Sequence, residues 1–129
     1  MSQIDALPIL ALAKGVLTDT ATTDAAIVDL PIGGTSGFIV DSVVVYNATG
    51  NLATATLGVF TGAGGTGATI VADAALTGLT GPTVVLQRTV AATAVTPQVN
   101  ADRIFIRIGT ASGVAGGRLD VVIYGRKLP

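Results

Sequence analysis

The chain has 129 residues, the length of one ordinary domain, and can bury a core without metals or disulfides. Its net charge of −1 excludes bulk attraction to nucleic acid, and the lack of cysteine excludes disulfides and thiolate metal sites. Gly, Thr and Asp interrupt every apolar stretch before it reaches the ~18 residues of a membrane span. We therefore expect a single domain that binds neither nucleic acid nor membrane.

Charged residues make up 12% of the sequence and hydrophobic residues 50%, with a mean hydropathy of +0.71. The abundance of Val, Ile and Leu argues against disorder. A free monomer normally displays more charge on its surface than this chain can supply. The composition therefore predicts a β-protein that is covered by neighbours, as a homo-oligomer or in a larger assembly.

Residues 1–15 are the first unit in chain order, an N-terminal apolar arm ahead of a domain predicted over residues 16–129. The arm carries five large apolar side chains, and these are candidate interface residues: Ile4, Leu7, Ile9, Leu10 and Leu12. So many apolar groups must pack on something. Either the arm adds a strand or turn to its own domain, or it lies across a neighbouring subunit.

Period-two alternation of apolar and polar residues predicts strands from residue 16 onward. The clear candidates are AAIVDLPIGG (25–34), GFIVDSVVVY (37–46), ATATLGVF (53–60), PTVVLQRTV (82–90), RIFIRIG (103–109) and RLDVVIYG (118–125). GVLTDTAT (15–22) and residues 95–99 are weaker candidates, and ATIVADAALTGL (68–79) is compatible with a helix or a strand. The run from Phe38 to Asn47 becomes apolar on both faces, which favours a central strand.

The last two candidate strands are joined by the Gly-rich link TASGVAGG and are predicted to form a hairpin. Their inward-facing residues should be buried together: Ile104, Ile106, Ile108, Leu119, Val121 and Ile123. About eight short strands separated by turn signals predict an all-β fold, a single-domain antiparallel sandwich or small barrel.

Gly62, Gly64 and Gly67 have the G-x-G-x-x-G spacing of dinucleotide-binding loops. Such a loop needs a parallel strand before it, a helix after it and an acidic residue about 20 residues further on. The strands here look antiparallel, residues 79–88 contain no Asp or Glu, and no Lys follows Gly67. We expect these glycines to form a turn, and we expect no cofactor.

The sequence contains no His, Cys or Glu, which removes the side chains most used in acid–base, nucleophilic and metal chemistry. We therefore expect no enzyme. Eight Asp remain, but they are scattered and follow no calcium-loop spacing. A calcium site assembled from distant segments stays an alternative.

Arginines gather late in the chain, where Arg103, Arg107 and Arg118 are predicted on the outward faces of neighbouring strands. As candidate interface residues, they would bind carboxylates of a partner through their guanidinium groups. The alternative is cross-strand pairing with Asp102 and Asp120 on a solvated face.

The stretches NADRIFIRIGTASGVAGGRLDVVIYGRKLP and GFIVDSVVVYNATGNLATATLGVFTGAGGTG resemble small β-rich virion proteins of tailed bacteriophages, of the capsid decoration or cement type. The resemblance lies in the Gly/Thr/Ala-rich loops, the scarcity of charge and the final segment ending in YGRKL. It implies a jelly-roll-like sandwich, assembled as trimers or other oligomers, that binds the major capsid protein. It also implies a protein made in the cytoplasm of the bacterial host and located on the capsid surface.

Two other functions stay open at this point. A tail or fibre-base component has the same sequence character as a decoration protein. A glycan- or ligand-binding β-module is a different class, and the absence of Trp, together with only five Phe and Tyr residues, disfavours it.

Overall fold

The computed structural model describes residues 9–19, 23–25, 37–91, 98–99 and 104–128. These residues form nine β-strands and one short 3-10 turn. The strands are β1 (Leu10–Thr18), β2 (Thr23–Ala25), β3 (Gly37–Tyr46), β4 (Thr56–Phe60), β5 (Thr69–Ala75), β6 (Leu86–Arg88), β7 (Gln98–Val99), β8 (Phe105–Thr110) and β9 (Arg118–Lys127). No helix within the described ranges is long and apolar enough to cross a membrane.

The strands form two sheets that share one core. Sheet 1 has the order β1-β9-β3-β6, with β7 also pairing with β3, and sheet 2 has the order β2-β8-β4-β5. All strand pairs are antiparallel. The predicted all-β, single-domain antiparallel sandwich is confirmed. β3 lies inside sheet 1, between β9 and β6, as its apolar sequence predicts.

The last two strands lie in different sheets, so the hairpin predicted for them is wrong. β8 pairs with β2 and β4, whereas β9 pairs with β1 and β3. The predicted burial is nevertheless confirmed, because each strand turns its apolar face toward the space between the sheets. The six predicted residues are fully buried in one cluster: Ile104, Ile106, Ile108, Leu119, Val121 and Ile123.

The Gly-rich link between β8 and β9 crosses from sheet 2 to sheet 1, and Asp19 fixes it there. The backbone N–H of Ser112 donates to Asp19 Oδ1 at 3.0 Å, and the Ser112 hydroxyl donates to Oδ2 of the same carboxylate. The backbone N–H of Asp19 donates in turn to the carbonyl of Gly117 at 2.8 Å. One residue just after β1 thus holds both ends of the crossing link.

The ambiguous segment 68–79 contains a strand, β5, rather than a helix. It pairs with β4, and Ile70 and Val71 are buried in the core. PTVVLQRTV contributes a strand only at Leu86–Arg88, and the weak candidate at 95–99 is represented by Gln98–Val99. Most of the strand predicted over 25–34 lies outside the described residues.

β1 begins at Leu10 and runs through the position at which the sequence suggested a boundary between arm and domain. Leu12 is fully buried in the core of its own chain, at a bulge where β1 pairs with β9. From Leu10 to Gly15 the chain therefore follows the first alternative stated for the arm, an extra strand on its own sandwich. Residues 1–8, with Ile4 and Leu7, lie outside the described residues.

Replacement of Ile106 by Ala should lower the free energy of unfolding by about 2–5 kcal/mol, because the side chain is fully buried between the sheets. Chemical denaturation measures this loss. Val85→Ala is the matched control, since Val85 is 69% exposed and its truncation removes little buried surface. A loss below about 0.5 kcal/mol for Ile106→Ala, the range of ordinary surface changes, would contradict the inward register of β8.

Candidate interaction surface

The outer face of sheet 1 combines apolar, aromatic and cationic side chains. In β9 these alternate with the fully buried Leu119, Val121 and Ile123, so they point away from the core. Backbone register brings their neighbours on β1 and β3 alongside them. We call this surface the sheet 1 face; its members are Lys14, Val16, Val44, Tyr46, Arg118, Asp120, Val122 and Tyr124.

Among the described residues, the exposed large apolar side chains lie on strands of sheet 1 or directly precede them. Val16 on β1 is 60% exposed and Tyr124 on β9 is 38% exposed. Ile9 and Val85, at 57% and 69%, directly precede β1 and β6. Exposed apolar side chains that cluster on one surface are typical of an interaction site, whereas single scattered ones are not.

The centre of the sheet 1 face is already shielded from solvent by its neighbours. Val122 is 8% exposed although it points outward, because Lys14 on β1 and Val44 on β3 flank it across the sheet. Both tyrosines of the chain, Tyr46 and Tyr124, lie on this face. Tyrosine beside an aliphatic centre is the composition found in the buried middle of protein interfaces.

Two carboxylates of this sheet have partners within it. Asp41 Oδ2 lies 3.4 Å from Nε of Arg126, and the Asn47 side-chain amide donates to Asp120 Oδ2 at 3.1 Å. The side chains of Lys14 and Arg118, by contrast, form no hydrogen bond or ion pair with any described residue. The face therefore carries two cations that have no described partner, beside one carboxylate, Asp120, that is hydrogen-bonded to a neutral amide.

A shallow depression of about 200 Å³ opens at one end of the sheet 1 face. It lies between β1 and the turn after β3, and Val16, Asn47, Thr49, Arg118 and Asp120 line it. Asn47 turns the chain here with a left-handed φ of 56°, which asparagine tolerates better than most residues. The depression thus joins the apolar side chain of Val16 to the Arg118 guanidinium, which has no partner among the described residues, and to the hydrogen-bonded Asp120 carboxylate.

On the outer face of sheet 2, the side chains of Phe60 and Asp73 cover two glycines of the central strands. A Cβ on Gly58 would come 2.7 Å from the Phe60 ring, so the ring lies directly over Gly58 and is only 8% exposed. The Asp73 carboxylate lies over Gly109 in the same way and accepts a bond from the Thr56 hydroxyl at 3.3 Å. This face leaves no large apolar side chain exposed among the described residues.

Arg88 connects the two sheets at one end of the sandwich. From β6 in sheet 1 its guanidinium donates to the carbonyls of Ala75 at 3.0 Å, Ala74 at 3.1 Å and Leu57 at 3.4 Å, all in sheet 2. Burial lowers the pKa of Arg88 from its ordinary value, while the nearby Asp73 carboxylate acts in the opposite direction. The sequence gave no signal for this contact, because the carbonyls belong to a distant hairpin.

The glycine-rich segment forms the turn between β4 and β5, as predicted. Gly64 and Gly67 have positive φ angles of 70° and 74°. The N–H groups of Gly62 and Ala68 donate within the loop, to the Thr66 carbonyl at 3.0 Å and the Thr61 hydroxyl at 2.8 Å. A strand follows the loop, so no helix N-terminus faces it.

The three arginines predicted as one cluster are not together. Arg107 lies on β8 in sheet 2, where it faces Gly58 on β4, and Arg118 lies on β9 in sheet 1. The expectation that they share a face is therefore wrong, and its cause is the incorrect hairpin. Arg103 and Asp102 lie outside the described residues.

The predicted arm residues also separate. Ile9 is exposed beside β1, Leu12 is in the core, and Leu10 forms the first residue of β1. The alternation of β9 already placed Tyr124 outward. Val16, which lies opposite Asp120, and Val85, which directly precedes β6, could be found only once the register of β1 and the position of β6 were known.

Fold and surface together define a small antiparallel β-sandwich with one self-covered outer face and one apolar, cationic outer face. No family model matches the chain, and no curated protein gives a significant match. Among solved structures, a chain of the structure described as "Cyanophage Pam1 capsid asymmetric unit" is similar, with a TM-score of 0.53. The similarity covers 95% of this chain and 85% of that chain at 18% sequence identity, so it concerns the fold.

Replacement of Arg88 by Met should lower the free energy of unfolding by about 1–3 kcal/mol, because three carbonyls lose their donor while the apolar stem is kept. Urea denaturation measures the change. Arg118→Met is the matched control, and its effect should stay within about 0.5 kcal/mol since its guanidinium has no described partner. Equal losses for both variants would show that the bridge between the sheets contributes nothing.

Addition of NAD or ATP should leave the melting temperature unchanged, because the N–H groups of Gly62 and Ala68 are already bonded inside the β4–β5 turn. Thermal unfolding with increasing nucleotide concentration tests this. A ligand that binds the native state raises the melting temperature progressively with its concentration. Such a rise would show that the loop binds phosphate.

Proposed function

We propose that this chain is a structural protein of a bacteriophage particle, a decoration or cement subunit that binds the lattice of the major capsid protein and stabilises the head. The observation that carries the proposal is the similarity in fold to a chain of a cyanophage capsid asymmetric unit. Coverage of 95% and 85% means that the two chains are close in length and share a whole domain rather than a fragment.

The connectivity of the sandwich supports a viral structural role. The outermost pair joins the first strand to the last, β1 with β9, and the next pairs are β2 with β8, β3 with β6 and β4 with β5. These four pairs alternate between the two sheets. We infer from this winding that the sandwich is a jelly roll, a fold used by viral capsid proteins and lectins.

The distribution of surface chemistry supports an assembled protein. The chain has few charges, and the exposed large apolar side chains of its described residues lie on strands of sheet 1 or directly before them. A protein held in a lattice can keep such a surface, because its neighbours cover it. A homo-oligomer, with a trimer as the first form to test, on the outside of the capsid is the arrangement we propose.

The proposed role is binding rather than catalysis. The sequence lacks His, Cys and Glu, and the sheet 1 face offers an apolar centre with cations at its side. Such a surface binds by burial and hydrogen bonding and needs no cofactor. Synthesis in the cytoplasm of the bacterial host, followed by attachment to the finished shell, completes the proposal.

The purified protein should bind phage heads from which it has been stripped, and cryo-electron microscopy of native particles should show it as knobs on the head lattice. Co-sedimentation measures the binding and microscopy gives the location. Density confined to the tail or fibre base would replace decoration with a tail role. Failure to bind any part of the particle would contradict the structural virion proposal, and a glycan-binding module would then be tested on a glycan array.

Deletion of residues 1–8 should leave the fold intact, since β1 and the buried Leu12 are kept. Deletion of residues 1–13 removes Leu12 and should destabilise the sandwich by several kcal/mol. Circular dichroism on both variants measures the effect of each deletion on folding, and co-sedimentation measures its effect on particle binding. Loss of particle binding after the shorter deletion alone would assign the attachment to residues 1–8.

A further inference from the structure

We propose that the sheet 1 face is the docking surface of this protein, and that its partner is a surface of another protein with carboxylates around an apolar centre. The inference rests on the proposed function, because the phage particle supplies that partner. Of the two outer faces, only this one leaves large apolar side chains exposed among the described residues.

The arrangement of side chains is that of an interface centre with a polar rim. Val122, which is only 8% exposed, is flanked by Val44 on β3, and the exposed large apolar members of the face are Val16 and Tyr124. Docking of a partner would remove the apolar surface of these two side chains from water. Tyrosine and arginine are the residues most enriched among those that dominate binding energy. Arg118 stands on the same strand, beside the depression lined by Val16.

The charges of the face determine what the partner must carry. Asp41 lies beside Arg126, and Asp120 accepts a hydrogen bond from the neutral Asn47 amide, whereas Lys14 and Arg118 have no described partner. A guanidinium and an ammonium that lose water on docking need acceptors, and carboxylates satisfy both charge and hydrogen bonding. The partner surface is therefore acidic where it meets Lys14 and Arg118.

A second copy of the same face fits this requirement poorly. The charged members of the face are two cations, Lys14 and Arg118, and one carboxylate, Asp120. In a two-fold pair each copy would present this same excess of positive charge to the other. Like charges that face each other across an interface cost free energy, so a different, acidic surface is the better occupant.

The test uses the full-length protein and phage heads stripped of it, with affinity measured by co-sedimentation titration. Val16→Asp places a charge on the apolar part of the face, and Arg118→Glu reverses the charge of a cation that has no partner among the described residues. Each should weaken binding at least ~10-fold, the effect of losing one interface residue that dominates binding. Ala72→Asp on the exposed part of β5 is the matched control and should change affinity less than about twofold.

The salt dependence of the affinity tests whether charge contributes to binding in addition to the burial of apolar surface. Wild-type affinity should fall as salt rises, and Arg118→Gln should weaken binding while reducing that dependence. Circular dichroism and urea denaturation verify that the variants fold, which is expected because Val16 and Arg118 are exposed.

The outcomes distinguish the two levels of the proposal. If the wild type binds heads and all variants bind equally, the docking assignment is wrong while the virion function stands. If the wild type binds no particle, both fail. If Val16→Asp instead dissolves a wild-type oligomer seen by analytical ultracentrifugation and leaves head binding unchanged, the occupant is a second copy, and the acidic partner is ruled out.

Discussion

Burial of one face of each sheet against the other holds this molecule together, because the chain has no cysteine and the described residues contain few charge pairs. Each strand must therefore turn its apolar side toward the same interior. The first strand completes this interior from one end: Leu12 and Leu17 of β1 join the core beside residues of the last strand, β9. The outer faces do not contribute to this core, so their side chains can serve other roles.

Alternation in the sequence predicts which side of a strand is buried but not which strand lies next to it. Ile106 and Val121 fit a hairpin and a sandwich equally well, since both arrangements bury the same faces. The path of the Gly-rich link decides between the two arrangements. The hydrogen bond from Ser112 to the Asp19 carboxylate and the one from the Asp19 N–H to the Gly117 carbonyl fix that path across the sheets. No local sequence pattern predicts a contact between two residues that are 93 positions apart. The segment at Ile70 was ambiguous for a related reason, because pairing with β4 settles its conformation.

The candidate surface was predictable only in part. The outward position of Arg118 and Tyr124 follows from alternation within β9 alone, and the structure agrees with it. The partition between sheets does not follow, so Arg107 was expected beside Arg118 although it lies on the other outer face. Val16 and Val85 could be recognised as exposed beside sheet 1 only from the structure, since single exposed valines are common on protein surfaces.

The two outer faces differ because glycines have different structural roles in the two sheets. In sheet 2, Gly58 and Gly109 provide space over which Phe60 and Asp73 fold back, so that face covers itself. In sheet 1, Gly125 of β9 serves a different contact: a Cβ there would overlap the Ile39 carbonyl and come 2.6 Å from Leu12 Cδ1. That glycine allows close packing of β1 and β3 against β9 and leaves the neighbouring Tyr124 uncovered. A glycine that serves backbone approach adds no side chain to the outer face, and Val16 and Tyr124 stay exposed there.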